Sequence, residues 1–397
     1  MKYCVVIMDG AAGRPLTDHG GLTSLELAVT PNLDTMAKTG MLGMTATIPQ
    51  GMEPSSSNGC MSVIGYNPDT YRTGRAAIEA LSLGIPVEEG DILFRCNLVS
   101  VKKGIMHDYS AGHISTPEAK AMIRTLNEKL GNEIVEFYPG LNYRHILKIK
   151  GREDVLLAEC TPPHDISGRT VEEYRPKGPG SEFLDDLMRK SEEILKDHPI
   201  NRARRIVGDP TADTIWLFWG SARAAGMPSF RKKYGLKASV TSAVDVIRGL
   251  ATMLDIEILE IPGVTDGMDN DFTGQAEGAL KSLDNNDLTF IHVEAPDEEG
   301  NAGSAVKKAE AIHRIDTEVI SRVMALGREN VSVLVMPDHP TPVEIRTHSS
   351  DPVPFMLWGR DFSANGASRF TEKEAAKTGL SVADAYTIMN RLTGKGQ

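Results

Sequence analysis

The stretch Val335-Met-Pro-Asp-His-Pro-Thr-Pro-Val-Glu-Ile-Arg-Thr-His-Ser-Ser-Asp-Pro-Val-Pro354 sets Asp338, His339 and His348 directly behind an apolar run. That run, Val331-Ser-Val-Leu-Val-Met336, is rich in β-branched residues and nearly continuous, which is the pattern of a strand buried on both faces. Pro337 and Pro340 end it. In an open parallel α/β sheet, ligands bind outside the carboxyl ends of the strands, so Asp338 and His339 stand where chemistry is expected. A carboxylate beside an imidazole, with a second imidazole one short loop later, suits a divalent transition metal such as zinc or manganese. A turn holding a hydrogen-bonded histidine is the plainer reading of the same residues, and structural context has to separate the two.

Working outward, Tyr3 to Met8 has the same buried-strand texture, and Asp9 follows it as Asp338 follows the later strand. Asp287-Leu-Thr-Phe-Ile-His-Val-Glu-Ala-Pro-Asp297 reads as a third strand ending in an aspartate. Thr30 to Gly40 predicts a helix with Thr30 as N-cap, Pro31 at its first position and Gly40 as its stop. In Pro54-Ser-Ser-Ser-Asn-Gly-Cys-Met-Ser-Val-Ile-Gly-Tyr66, a serine cluster opens a helix whose free N–H groups could face an anion, although simple capping is what such serines do most often.

A chain of 397 residues exceeds the size at which one core stops growing, so two domains are expected. A hydrophobic fraction of 41% and a charged fraction of 24% are those of a globular protein. The formal net charge of -11 argues against nucleic acid and anionic membranes as partners. Cys4, Cys60, Cys96 and Cys160 are scattered without a Cys-x-x-Cys pair, which argues against a disulfide framework or a thiolate zinc site. The apolar start is too short for a signal peptide and nothing approaches a membrane span, so a cytoplasmic chain is expected. Nothing in the sequence sets the oligomeric state.

From Tyr71 to about Arg205 the texture changes to many Gly, Pro, Arg and His with short alternating strands such as Ile92–Val101. This predicts an inserted α+β domain over 71–205, within a discontinuous α/β core of 1–70 and 206–397. Beyond it, strands are expected at Thr214–Trp219, Ser239–Thr241 and Ile256–Ile261. Helices are expected at 243–254, 275–283, 304–326 and 382–392. Arg75, Arg95, His113 and Arg144 are candidates for clamping a phosphorylated or carboxylated substrate, because the guanidinium fork matches such groups bidentately, although most surface arginines are only solvated.

Taken together, Asp9, the serine cluster, Asp297, Asp338-His339 and His348 resemble the alkaline-phosphatase superfamily, and more closely the archaeal-type cofactor-independent phosphoglycerate mutases. The similarity extends to Thr30–Asp34, Gly65-Tyr-Asn-Pro68, Thr73–Ala80, Phe94–Asn97, Asp108–Ile114 and Asp351–Pro354. Thr161–Gly168 and His198–Arg204 resemble a bacterial branch proposed to be homoserine kinases.

The resemblance implies an alkaline-phosphatase-like core of mostly parallel sheet flanked by helices, with an inserted cap. It implies a serine nucleophile, matched by Ser56, and one or two divalent ions, manganese or zinc with magnesium as a further option. Asp9, Ser56, Asp338 and His339 would divide the ligands with Asp297 and His348. It departs at three positions, with Ser57 where the family has aspartate, Asn301 where it has histidine and Gln275 where it has lysine. The implied activity is interconversion of 3- and 2-phosphoglycerate, a small phosphorylated substrate, through a phosphoserine. The alternatives are a homoserine kinase-like phosphotransferase and a binding protein of the same fold with weakened catalysis.

Overall fold

The computed structural model describes residues 1–72, 74–88, 90–222 and 226–395, with the side chain of Arg75 outside that description. The chain forms two compact units, Met1–Tyr71 with Gly226–Gln397, and Arg72–Ala225. Strands in chain order are β1 (Lys2–Met8), β2 (Met41–Ala46), β3 (Asp91–Lys102), β4 (Ile105–Asp108), β5 (Val135–Tyr138), β6 (Arg144–Lys150) and β7 (Thr214–Ala222). They continue with β8 (Ala238–Thr241), β9 (Glu257–Ile258), β10 (Leu288–Val293), β11 (Val331–Met336), β12 (Val353–Trp358) and β13 (Ser381–Asp384).

The discontinuous unit carries an eight-stranded sheet in the order β13-β2-β12-β11-β1-β10-β8-β9. β1 runs parallel to β10 and β11, β8 parallel to β10 and β9, and β13 parallel to β2; only β12 is antiparallel to its neighbours β11 and β2. β10 and β11 are buried along their whole length and β1 along most of its own, which is what their unbroken apolar sequences require. Val6, Ile291, Val333 and Val335 pack in one core with Leu33, Phe272 and Ile312 from flanking helices. The sheet is therefore the mostly parallel α/β architecture expected from sequence.

The second unit contains an antiparallel sheet, β4-β3-β6-β5, with β7 on the other side of β3. β7 corrects the expected boundary. Its apolar run resembles a core strand, but it pairs with β3 from Val99↔Thr214 to Ile92↔Ala222, so the insert runs past residue 205 to Ala225. Composition could not locate this edge, because a buried antiparallel strand has the same apolar texture as a parallel one.

Other expectations change locally. Only Glu257–Ile258 of the Ile256–Ile261 strand forms. The 304–326 helix is an α-helix at Ala305–Arg314 that widens to a π-helix at Ile315–Ile320 before Ser321–Ala325. The 382–392 helix is shorter, Ile388–Thr393, because Ser381–Asp384 is taken up as an edge strand beside β2. Asp297 does not end a strand: β10 stops at Val293, and Asp297 lies in the first turn of the Ala295–Asn301 helix.

Thr30 occupies the N-cap of the Pro31–Thr39 helix but makes no side-chain cap. The orphan N–H groups are satisfied instead by Asp316 from the π-helical turn, which accepts from Leu33 N at 2.7 Å and Asn32 N at 3.2 Å. Asp316→Ala is expected to lower stability by about 1–2 kcal/mol, the range of a lost cap. Chemical denaturation of the metal-free protein checks this.

Candidate metal centre

Parallel pairing decides where the site lies. Ile7 of β1 is in register with His292 of β10 and Met336 of β11, so the residues that follow these strands emerge along one sheet edge. Asp9 leaves β1 at once, while Asp338 lies just past β11. Two glycines permit the close approach that follows. A Cβ on Gly10, which has φ +59°, would sit 2.5 Å from Asp297 Oδ1, and one on Gly59 would sit 2.3 Å from the Asp338 carbonyl oxygen.

The serine cluster resolves into separate tasks. Ser55 is the N-cap of the Ser56–Ile64 helix and accepts from Asn58 N, so Ser56 is not needed for capping. Ser56 Oγ lies 3.1 Å from His339 Nε2. His339 Nε2 is in turn 3.4 Å from Asp9 Oδ1 and 3.4 Å from Asp338 Oδ2. His348 stacks on His339 with ring centroids 4.0 Å apart, and its Nε2 is 3.4 Å from Asp297 Oδ1. Two sets of donor atoms, Asp9–Asp338–His339 and Asp297–His339–His348, each fall within 4.8 Å of one another. The six residues singled out as nucleophile and ligands are thus brought to one place.

Supporting residues were less visible in sequence. Thr341 Oγ donates to Asp297 Oδ1 and lies 3.3 Å from His339 Nδ1. Its single hydroxyl proton is spent on Asp297, so it accepts from His339 Nδ1–H, and His339 Nε2 is left with a lone pair toward Ser56 and the two aspartates. His292 Nε2 donates to Asp9 Oδ2 at 2.8 Å, while Ser242 Oγ meets its Nδ1 at 3.0 Å. Cys60 Sγ donates to Asp338 Oδ2. Lys308, fully buried, donates from Nζ to Ala12 O at 2.9 Å and Thr341 O at 2.7 Å, tying together the loops that carry Asp9 and Asp338. Burial pushes its ammonium down to about 8. Only the strand-end position of Asp9 and Asp338 signals such residues in advance.

The electrostatics favour a cation. Asp9 is fully buried, and desolvation, together with the Asp338 and Asp297 charges, drives its carboxyl well above the usual range. Asp9 Oδ1 has no hydrogen-bond partner. Burial lowers His339 and so favours the neutral, ligating imidazole. Burial would raise Asp297 and lower His348, but their contact reverses both, holding Asp297 low and His348 high. A neutral imidazole lone pair facing two carboxylate oxygens, one of them unpartnered, fits a divalent ion held by Asp9, Asp338 and His339.

The three departing positions have other partners. Ser57 Oγ meets Ser55 Oγ at 3.0 Å. Asn301 Nδ2 donates to Asp297 Oδ2 at 2.7 Å. Gln275 Nε2 donates to the His292 carbonyl at 2.8 Å and its Oε1 accepts from Asn270.

In the insert, His113 and Arg144 are exposed, whereas Arg95 is 8% exposed, paired with Glu79 at 3.2 Å and set against Phe218 and Trp219. The Arg75 side chain lies outside the described residues. The His198–Arg204 segment is scaffold: Asn201 bonds Leu195 O and both the N–H and the carbonyl of Ala212, and Arg204 bonds Ala111 O, Pro210 O and Glu118.

With this geometry in hand, comparison with known proteins is decisive. The 2,3-bisphosphoglycerate-independent phosphoglycerate mutase of Methanosarcina barkeri is 42% identical over 399 residues, covering 99% of each chain. The chain belongs to the 2,3-bisphosphoglycerate-independent phosphoglycerate mutase family. The model of that mutase family matches residues 37–201. A probable mutase of the same name from Geobacter sulfurreducens is 39% identical, covering 99% of each chain. Among solved structures, a Pyrococcus horikoshii protein is 26% identical with a TM-score of 0.83, covering 100% of this chain and 98% of its own. The cofactor-independent phosphoglycerate mutase of Thermoplasma acidophilum shares the fold, with a TM-score of 0.74 at 22% identity and 99% coverage of both.

Thr341→Val removes the hydroxyl that orients both Asp297 and His339 without changing side-chain size much. Loss of such an outer contact should weaken divalent-ion binding by about 10–100-fold. Calorimetric titration of the chelator-treated protein checks this, with unchanged affinity as the contrary result.

Proposed function

We propose that this chain is a metal-dependent phosphoglycerate mutase that interconverts 3-phosphoglycerate and 2-phosphoglycerate through a phosphoserine at Ser56. The observation that carries the reading is Ser56 Oγ at 3.1 Å from His339 Nε2, within the Asp9–Asp338–His339 cluster. A serine hydroxyl is a weak nucleophile at neutral pH. A bound divalent ion would lower its pKa and offset charge on the transferring phosphoryl oxygens. Asp9, Ser56, Asp338 and His339 would hold one ion, and Asp297 and His348 a second.

The chain's own groups then divide the work. Ser56 Oγ attacks phosphorus, its bond to the C3 oxygen breaks, and that oxygen takes a proton. The C2 hydroxyl of the retained glycerate, unphosphorylated until then, attacks the phosphoserine; its proton is given up as the bond from phosphorus to Ser56 Oγ breaks and Ser56 Oγ takes one back. Thr341 and Lys308 keep His339 and the Asp9 loop in place. His113 and Arg144 would hold the substrate's anionic groups; Arg95 could join only by exchanging its contact with Glu79. Manganese, zinc and magnesium all remain compatible with this donor set.

The nucleotide-dependent alternative gains nothing from Asn201 and Arg204 of the His198–Arg204 segment, whose side chains are engaged within the insert. Isomerisation of 3-phosphoglycerate in the presence of metal, without nucleotide or 2,3-bisphosphoglycerate, is the deciding assay. Ser56→Ala should abolish turnover and trapping of labelled phosphate on the protein. Ser55→Ala, which removes the cap and the contact with Ser57, should keep turnover and cost about 0.5–2 kcal/mol of stability. Full activity of Ser56→Ala would refute the assignment.

A further inference from the structure

Beside Asp297, the Ala295–Asn301 helix and its N-cap carry two acidic groups, Glu294 and Glu298, that the proposed reaction does not use. Glu294 is its N-cap, and Asp297 and Glu298 follow at spacings of three and four, so all three lie on one face. One carboxylate oxygen from each falls within 4.8 Å of the others. Like charges at these spacings repel, and among the described residues no lysine or arginine pairs with any of the three.

An independent observation points to what is missing. Glu294 is 8% exposed, and its Oε2 is buried without a hydrogen-bond partner. The nearest group that could be positive is His292, 3.7 Å away, and its Nε2 is committed to Asp9 at 2.8 Å. On the outer side Glu298 is exposed, which gives an ion a path in and room for its waters.

We propose that Glu294, Asp297 and Glu298 form a further cation site, selective for a hard divalent ion of the magnesium or manganese class. The donor set is all oxygen. Carboxylates and water suit these ions, whereas zinc favours the imidazoles of His339 and His348 on the other side of Asp297. Asn301 presents its amide N–H to Asp297 rather than a ligand atom, so ligands on the helix side come from the glutamates. The inference rests on the mutase reading only through Asp297, which both share.

The test counts ions on the full chain after chelation. Free manganese would be followed by electron paramagnetic resonance and bound zinc by equilibrium dialysis, in the parent and in Glu294→Gln, Glu298→Gln, Glu299→Gln and His348→Ala. Glu294→Gln and Glu298→Gln should each weaken one manganese ion by at least about 10-fold while leaving zinc unchanged. His348→Ala should weaken zinc and spare that manganese. Glu299→Gln, on the same helix outside the cluster, should change neither. The manganese-induced rise in Tm should be smaller in Glu294→Gln than in the parent. Because Glu298 is exposed, its variant carries the test even if the Glu294 variant folds poorly. Parental manganese binding by both glutamate variants would overturn the proposal; if His348→Ala had still lost zinc, the mutase reading would stand.

Discussion

Four carboxylates, Asp9, Glu294, Asp297 and Asp338, lie at 0, 8, 3 and 0% exposure along one sheet edge, and among the described residues none has a lysine or arginine partner. An ionised carboxylate in such surroundings costs several kcal/mol unless it is compensated. Hydrogen bonds from the His292 ring, the Thr341 hydroxyl, the Cys60 thiol and the backbone N–H groups of Gly10 and His339 orient these oxygens, and His348 meets Asp297 at 3.4 Å. The arrangement consequently offers groups of oxygen and nitrogen atoms that could hold cations.

The fold supplies the geometry and the sequence supplies the chemistry. Three neighbouring parallel strands in register bring residues almost 300 positions apart to within hydrogen-bond distance, as between Asp9 and His292. The Ser56–Ile64 helix then approaches the Asp338 loop so closely that only a glycine fits at position 59. Lys308 illustrates the tolerance of the design. Its charge is buried, yet it bonds carbonyl oxygens rather than carboxylates, leaving the acidic groups available.

The sheet was legible because parallel strands buried on both faces write continuous apolar runs, and the placement of Asp9 and Asp338 was legible because each follows such a strand, whereas Asp297 was expected at a strand end and lies in a helix, and Ser56 was singled out by the family resemblance alone. The insert's far boundary was not, since the apolar run of β7 suits either sheet and only the pairing with β3 decides it. Asp316 was missed for a different reason. Capping from a residue 283 positions away leaves no local trace, and Thr30 offered the expected signature without the bond. The His198–Arg204 segment carries the opposite lesson, because residues typical of phosphate recognition are used there to brace backbone carbonyls.

The position of the insert also constrains the order in which the chain can acquire structure. β1 is made first, but its partners β10 and β11 lie beyond the insert, from Tyr3↔Leu288 and Lys2↔Val331. During synthesis the apolar run Val5–Met8 therefore spends a long interval without its neighbours, while the insert can complete its antiparallel sheet from contacts within Arg72–Ala225. Closing the large loop costs little extra free energy for its length, but pairing of this kind is slow. Early folding of the insert would shorten the disordered chain that β1 must wait for, which gives the insert a part in the folding of the discontinuous unit.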